Sequence, residues 1–230
     1  MLDYESSKEK GEVALIYSVA VLGKGRLASH ILRSLRTSDS YEVMAVVPSI
    51  DPARLFEKLG PEADRAGIPI LDSKGFRDLT VGLDLLVCSS YDNIMSEAEI
   101  ARHGRVLNFH NSLLPAFRGV RPINWALETG SSSHGVTLHE IDKRVDSGDL
   151  IDQQEFKITG NDEDVLDIYL KCVDVGILLF ERNRRTLVTS IGIPQATSNG
   201  SYYGNKDSHR LTRFKELSNS SSKIEINLPL

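Results

Sequence analysis

The sequence predicts an α/β fold: a Rossmann-like, open, mostly parallel sheet flanked by helices, with a short C-terminal extension. Three observations predict it. Short runs rich in Val, Leu and Ile recur, each only a few residues long, and segments with helical spacing separate them. The first run ends in Gly23-Lys24-Gly25-Arg26-Leu27-Ala28, a G-x-G-x-x-A turn of the kind that joins a strand to a helix. A long apolar stripe at helical spacing follows in the second half. Runs that are apolar at every position suit strands buried on both faces, and their alternation with helices implies right-handed crossovers.

Taken in order, residues 19–22, 43–47, 83–88 and 106–109 read as buried strands. Leu27, Ile31, Leu32 and Leu35 share one face of a helix after Gly25. Residues 51–67 read as a second helical connection, with Pro52 suited to a first turn. Residues 96–103 read as a third, with Ser96 as N-cap and Glu99 as its capping-box partner. Residues 135–141 and 150–158 alternate with period two and read as later strands. A helix over about 162–181 carries Val165, Ile168, Tyr169, Cys172, Val173, Ile177 and Phe180 on one stripe. Beyond it lie Pro194, the Asn199–Gly200 turn, the pair Tyr202–Tyr203, a serine cluster at 218–222 and a strand-patterned stretch at 223–228. This end reads as a hairpin, a dimer arm or a partly disordered tail.

Composition narrows the function. Among 230 residues, apolar types make up 40% and charged types 26%, which suits a packed core rather than a disordered chain. The net charge of −5 argues against a protein that coats nucleic acid or anionic membrane. The apolar run from Val13 to Leu22 is too short to span a bilayer, and no secretory leader pattern precedes it. Cys88 and Cys172 stand far apart without metal-type spacing, so neither a disulfide framework nor a metal site is expected. The expected location is the cytoplasm.

Two segments carry chemistry. Glycines at the strand-to-helix turn let a phosphate approach the backbone, and the helix start offers free N–H groups, with Lys24 and Arg26 adding charge. A phosphate loop and a nicotinamide dinucleotide site are both readings of this turn, as is a plain turn. A dinucleotide reader wants an acid at the end of the second strand. Here that strand runs into Pro48-Ser49-Ile50-Asp51, so the acid arrives late. The second segment is richer. Asn108 and His110 are two residues apart at a strand end and therefore share a face. The loop 142–149 brings Asp146 between two strands. An amide, an imidazole and a carboxylate suit attack of a neutral amine on a carbonyl. The amide and imidazole can stabilise the oxyanion, and the carboxylate can orient the imidazole and take up a proton.

The run Asn108-Phe109-His110-Asn111-Ser112-Leu113-Leu114-Pro115, then Phe117-Arg118-Gly119, His134-Gly135-Val136-Thr137 and Val145-Asp146-Ser147-Gly148, closely resembles the folate-dependent formyltransferase family. The likeness spans about residues 19–156. It implies that Asn108, His110 and Asp146 form a catalytic triad, with 10-formyltetrahydrofolate as co-substrate and no metal. It also implies that the pterin lies against residues 90–95 and 141–145. Backbone groups of Asn93, Met95 and Asp142 would contact it, with Tyr91, Ile94, Ile141 and Val145 around them. Ser112 opens a loop, 112–115, read either as touching the acceptor or as a rigid turn with a cis proline bond.

The resemblance also bears on the acceptor. The stretch Arg118-Gly119-Val120-Arg121-Pro122-Ile123-Asn124-Trp125-Ala126 is similar to the R-G-x-x-P-x-x-W-A form of the amino-sugar branch. The expected acceptor is a nucleotide-linked amino sugar such as dTDP-4-amino-4,6-dideoxyglucose, as in O-antigen or surface polysaccharide biosynthesis. Gly23, Lys24, Gly25, Arg26, Ser112, Arg118 and Arg121 are its expected contacts. Phosphoribosylglycinamide formyltransferase and a non-catalytic folate- or nucleotide-binding module are the alternatives. A methionyl-tRNA enzyme is expected to carry a further C-terminal domain and a basic surface, and so is discounted. The implied layout is an arm at 1–18, a formyltransferase domain at 19–190 and an extension at 191–230, with residues 223–228 able to pair in a homodimer. Trp125 reads as core, and Tyr202 and Tyr203 as stacking or packing residues.

Overall fold

The structure, a computed structural model, describes residues 15–49, 59–160 and 164–212. The first half of the expected 51–67 helix, the first residues of the expected 162–181 helix, the serine cluster and the 223–228 stretch lie outside the described residues, as does most of the N-terminal arm.

One six-stranded sheet organises the chain, in the order β2-β1-β3-β4-β6-β7. Its strands are β1 (Tyr17–Gly23), β2 (Tyr41–Pro48), β3 (Leu85–Ser89), β4 (Val106–His110), β6 (Ser133–Glu140) and β7 (Leu150–Lys157). The first four are parallel, and β6 and β7 join antiparallel. This is the mostly parallel Rossmann-like sheet that the apolar runs predict. The crossovers are α1 (Gly25–Arg36), α2 (Leu59–Arg65) with α3 (Ser73–Arg77), and α4 (Glu97–Ile100). The short α3 has Asp72 as its cap, whose carboxylate accepts from the Gly75 N–H. At α4 the Ser96–Glu99 capping box forms as the sequence predicts.

Strand alternation divides the core in two. Val19, Val21, Leu85, Val87, Leu107, Phe109, Val136 and Leu138 face a layer made by α1 and α6 (Val165–Asn183). Leu27, Ile31, Leu32 and Leu35 of α1 are buried there, and each contributes roughly 1.5–3 kcal/mol. Asp164 caps α6 in a box with Asp167. Gly176 lets α1 approach closely, because a Cβ there would lie 2.6 Å from a Leu27 methyl. The other face carries Ala20, Leu22, Leu86, Cys88 and Val106, covered by Phe76, Leu83 and neighbouring residues. Asn108, His110 and His139 point to this second face, since they alternate with Leu107, Phe109 and Leu138. There, beside β4 and β6, loops rather than a long helix cover the sheet.

The extension folds onto the body rather than forming a hairpin of its own among the described residues. Its strand β8 (Tyr202–Tyr203) pairs in parallel with β5 (Arg118–Gly119). Tyr203 stacks on Trp125 of α5 (Pro122–Glu128) with ring centroids 4.1 Å apart. Trp125 is buried, as a core residue should be.

Two buried histidines give the fold a pH dependence. His134 lies between the Phe117 and Phe156 rings, and its Nε2 has no hydrogen-bond partner among the described residues. Burial pushes its pKa down to about 4. His139 is likewise pushed down to about 4, chiefly by burial. An unfolded histidine titrates near about 6.5, so as pH falls from 6.5 towards 4 the unfolded chain takes up protons that the folded chain refuses. Stability is therefore fully present above pH 6.5 and declines below it, by up to about 3 kcal/mol for each histidine at full effect. Urea denaturation at pH 7.5 and at pH 5 should show the decline. In His134→Phe the difference between the two should shrink; an unchanged difference would mean that His134 is not a source of it.

Candidate active site

Strand register brings the polar residues together. Asn108 pairs directly with His139 across β4 and β6, and His110 with Thr137. The His139 Nδ1–H donates to the Glu140 carbonyl at 2.7 Å. The neutral ring that burial enforces therefore presents Nε2 as an acceptor. The Asn108 Nδ2–H donates to it at 3.1 Å. This sets the amide with its NH₂ towards His139 and leaves its second N–H for another acceptor.

His110 is buried, and its Nε2–H donates to the Phe117 carbonyl at 3.0 Å. Its Nδ1 faces the Asp146 carboxylate at 3.5 Å, a charge-pair distance rather than a made hydrogen bond. The other Asp146 oxygen lies 3.6 Å from His139 Nε2. Asp146 has φ of 51°, a left-handed conformation uncommon outside glycine. The Gly119 N–H donates to its carboxylate at 2.8 Å. The three residues that the sequence singled out thus meet in one place, though 38 positions separate Asn108 from Asp146 in the chain. Sequence reasoning missed His139, the partner that orients Asn108. Its one signal was a histidine inside an expected strand.

Two clefts meet at this cluster. The narrower, of about 130 Å³, is lined by Tyr91, Asn93, Ile94, Met95, Ile141, Asp142 and Val145 together with Asn108, His139 and Asp146. All seven residues expected around a pterin border it. Ile94 is 80% exposed and Val145 38% exposed, so two apolar side chains stand uncovered at its rim. Asp142 closes the loop below by accepting from the Arg144 N–H and the Ser147 hydroxyl. Cys88 borders the same cleft, and burial pushes its thiol up to about 12. It therefore remains a protonated thiol.

The wider cleft, of about 600 Å³, is bordered by Asn108, His110, Asp146, Arg121, Tyr202 and Asn205, among others. Of the seven residues expected to hold an acceptor, Arg121 alone lines it. The others take different places, for physical reasons. Gly23 and Gly25 have φ of 127° and 88°. A Cβ on Gly23 would lie 1.8 Å from the Ser89 carbonyl, and the Lys24 N–H donates to that same oxygen. The glycine turn is thus occupied in packing β1 against β3. Lys24 pairs with Asp92 at 2.8 Å, and Arg26 borders neither cleft. Ser112 is fully buried and donates its hydroxyl to the Ala116 carbonyl, beside the cis Leu114–Pro115 bond. It is part of the rigid turn. Arg118 reaches towards the Thr197 carbonyl, and its buried Nε has no partner among the described residues.

A separate cavity of about 690 Å³ opens beside the starts of β3 and β4. Its Arg105 and Glu140 pair with each other at 2.6 Å, and no member of the Asn-His-Asp cluster borders it.

Residues 17–180 match the model of the formyl transferase family. The chain belongs to that family. Among curated relatives, the methionyl-tRNA formyltransferase of Streptococcus gordonii is 32% identical over 154 residues, covering 61% of this chain and 50% of the relative. The chain thus spans about half the length of the curated relatives it matches. Among solved structures of the fold, WlaRD, a sugar 3N-formyltransferase determined with dTDP and 5-N-formyl-THF, superposes with a TM-score of 0.72 at 24% identity, over 84% of this chain and 71% of that one. An N-formyltransferase from Helicobacter canadensis, determined with folinic acid and dTDP-3-aminofucose, gives 0.71 at 24% identity, over 84% and 72%. No helix among the described residues is long and apolar enough to cross a membrane.

Proposed function

We propose that this formyl transferase family member carries a formyl group from 10-formyltetrahydrofolate to the amine of a nucleotide-linked amino sugar. One observation carries the reading. Two clefts of different character share Tyr91, Asn93, Ile94, Asn108, Val145 and Asp146, so a donor in one and an acceptor in the other would meet at the Asn-His-Asp cluster.

The narrow cleft suits a flat ring. Ile94 and Val145 would cover its faces, and the exposed apolar area they offer is what such a ring would bury. 10-Formyltetrahydrofolate supplies the formyl carbon and a nitrogen leaving group. The chain's own residues orient and discharge the transfer. The second N–H of Asn108 would meet the negative charge that develops on the formyl oxygen, with the His110 ring beside it. Asp146 faces His110 Nδ1 across 3.5 Å. It would accept the proton that the amine loses as its bond to carbon forms. That proton passes to the departing nitrogen. The wide cleft would take the acceptor, with Arg121 near its phosphates and Tyr202, 52% exposed, beside its base.

A second acceptor is favoured by a specific observation, the sequence likeness to a methionyl-tRNA enzyme. Mass spectrometry separates the readings. The chain is incubated with 10-formyltetrahydrofolate and, in parallel, a panel of amino-sugar nucleotides, glycinamide ribonucleotide and methionyl-tRNA. A formyl mass gain on an amino-sugar nucleotide is expected. A gain confined to either of the other acceptors would replace the sugar reading, and none on any acceptor would remove the transferase reading.

A further inference from the structure

We propose that the segment from Gln195 to Tyr203, beyond the family-matched residues, is part of the catalytic centre, and that Gln195 and Ser201 are positioning residues for Asp146 and His110. The inference rests on the formyl-transfer reading for its kinetic readout and on geometry for the rest.

Asp146 and Phe117 both hold left-handed backbone, with φ of 51° and 55°. Such conformations each cost about 1 kcal/mol or more and persist where surrounding bonds over-determine them. For both residues those bonds come from the same distant stretch of chain. The Gln195 side-chain amide donates to the Gly148 carbonyl at 2.6 Å and to the Asp146 carbonyl at 3.3 Å. It clasps the loop on either side of Ser147. Its Oε1 is buried with no partner among the described residues, so the group serves as a donor only. A flipped amide would set that oxygen against two carbonyls.

The second route runs through Ser201. Its hydroxyl accepts from the Phe117 N–H at 2.7 Å, and its carbonyl accepts from the Arg118 N–H at 3.0 Å. The Tyr203 carbonyl then accepts from the Val120 N–H at 2.9 Å. These bonds place the Phe117 carbonyl, which receives the His110 Nε2–H, and the Gly119 N–H, which binds the Asp146 carboxylate. Two glycines admit the strap. A Cβ on Gly200 would lie 2.0 Å from the Pro115 carbonyl, and one on Gly119 2.1 Å from the Tyr203 carbonyl. One segment therefore sets the imidazole by one route and the carboxylate by two.

The test compares the full chain with Gln195→Ala, Gln195→Glu, Ser201→Ala and Ser201→Thr. Glutamate matches glutamine in size but has lost the two donors. Threonine retains the hydroxyl. A displacement of about 1 Å in a catalytic group can cost on the order of a hundredfold, so kcat should fall about tenfold to a hundredfold in Gln195→Ala, Gln195→Glu and Ser201→Ala. KM for both substrates should stay within about threefold, and Ser201→Thr should regain most of the rate. Nuclear magnetic resonance of the ring nitrogens and protons of His110, identified by their loss in His110→Gln, gives a readout independent of turnover. They should shift in Gln195→Glu and Ser201→Ala. Wild-type kcat in Gln195→Glu, or unmoved His110 signals in both variants, overturns the proposal. If the unaltered chain transfers no formyl group, the reaction reading fails, and the His110 signals alone decide the positioning.

Discussion

Asn108→Ala is expected to lower kcat by about a hundredfold to a thousandfold with donor and acceptor saturating, the usual effect of removing one oxyanion donor. The geometry says why this amide has no substitute. One of its N–H groups is committed to His139, whose own orientation is set by the Glu140 carbonyl. The other is therefore held in a fixed direction before substrate arrives, so no reorganisation is needed as charge develops. Asn108→Asp should be at least as damaging, because it sets an acceptor against the His139 nitrogen. Asp146→Asn should lose a comparable factor while still accepting from the Gly119 N–H, since the amide preserves shape and removes charge. Melting temperatures should remain close to that of the unaltered chain, and KM for the formyl donor should change little. Near-normal turnover in Asn108→Ala or Asp146→Asn would remove that residue from the mechanism proposed here.

The second large effect is on the fold. Gly23→Ala should destabilise the protein by about 3–5 kcal/mol, enough to unfold many single domains of this size. Two costs add. The backbone there has φ of 127°, which an L side chain rarely adopts, and the new Cβ would lie 1.8 Å from a backbone oxygen of β3. That oxygen cannot swing aside, because Ser89 is held in the ladder and accepts from the Lys24 N–H. Relief would require β1 and β3 to part. Gly160→Ala is the control: nothing among the described residues lies within 4 Å of its Cβ and its φ is unremarkable. Chemical denaturation of both variants decides the matter, and a Gly23→Ala protein within about 1 kcal/mol of the unaltered chain would refute the packing account.

The same glycine shows how one motif admits two readings, a turn and a site. G-x-G after a first strand has two physical causes, a ligand approaching the backbone or a neighbouring strand doing so. Sequence cannot tell them apart, and here Ser89 is the neighbour. β1 and β3 were legible because burial on both faces leaves most of their positions apolar, and β6 because its residues alternate. The α1 and α6 stripes were legible because one face of each meets the core. By contrast α3 is five residues long and relies on one aspartate cap. The pairing of β5 with β8 joins residues 84 apart and two strands of two residues each, too little to leave a periodic trace.

The candidate site divides in the same way. Asn108 and His110 share a face by strand geometry alone, and the residues around the narrow cleft could be named from the motifs that carry the family resemblance. That His139 stands opposite Asn108, that Arg121 rather than Arg118 borders the wide cleft, and that Gln195 and Ser201 clasp the loops of Asp146 and Phe117 all depend on register and chain return between distant segments. By itself the sequence determined the layered fold, the family and the three polar residues at one sheet face, because local periodicity and short motifs encode these. Only the tertiary structure decided which groups hold those three in place, because a hydrogen bond between segments tens of residues apart leaves no spacing in the chain to read.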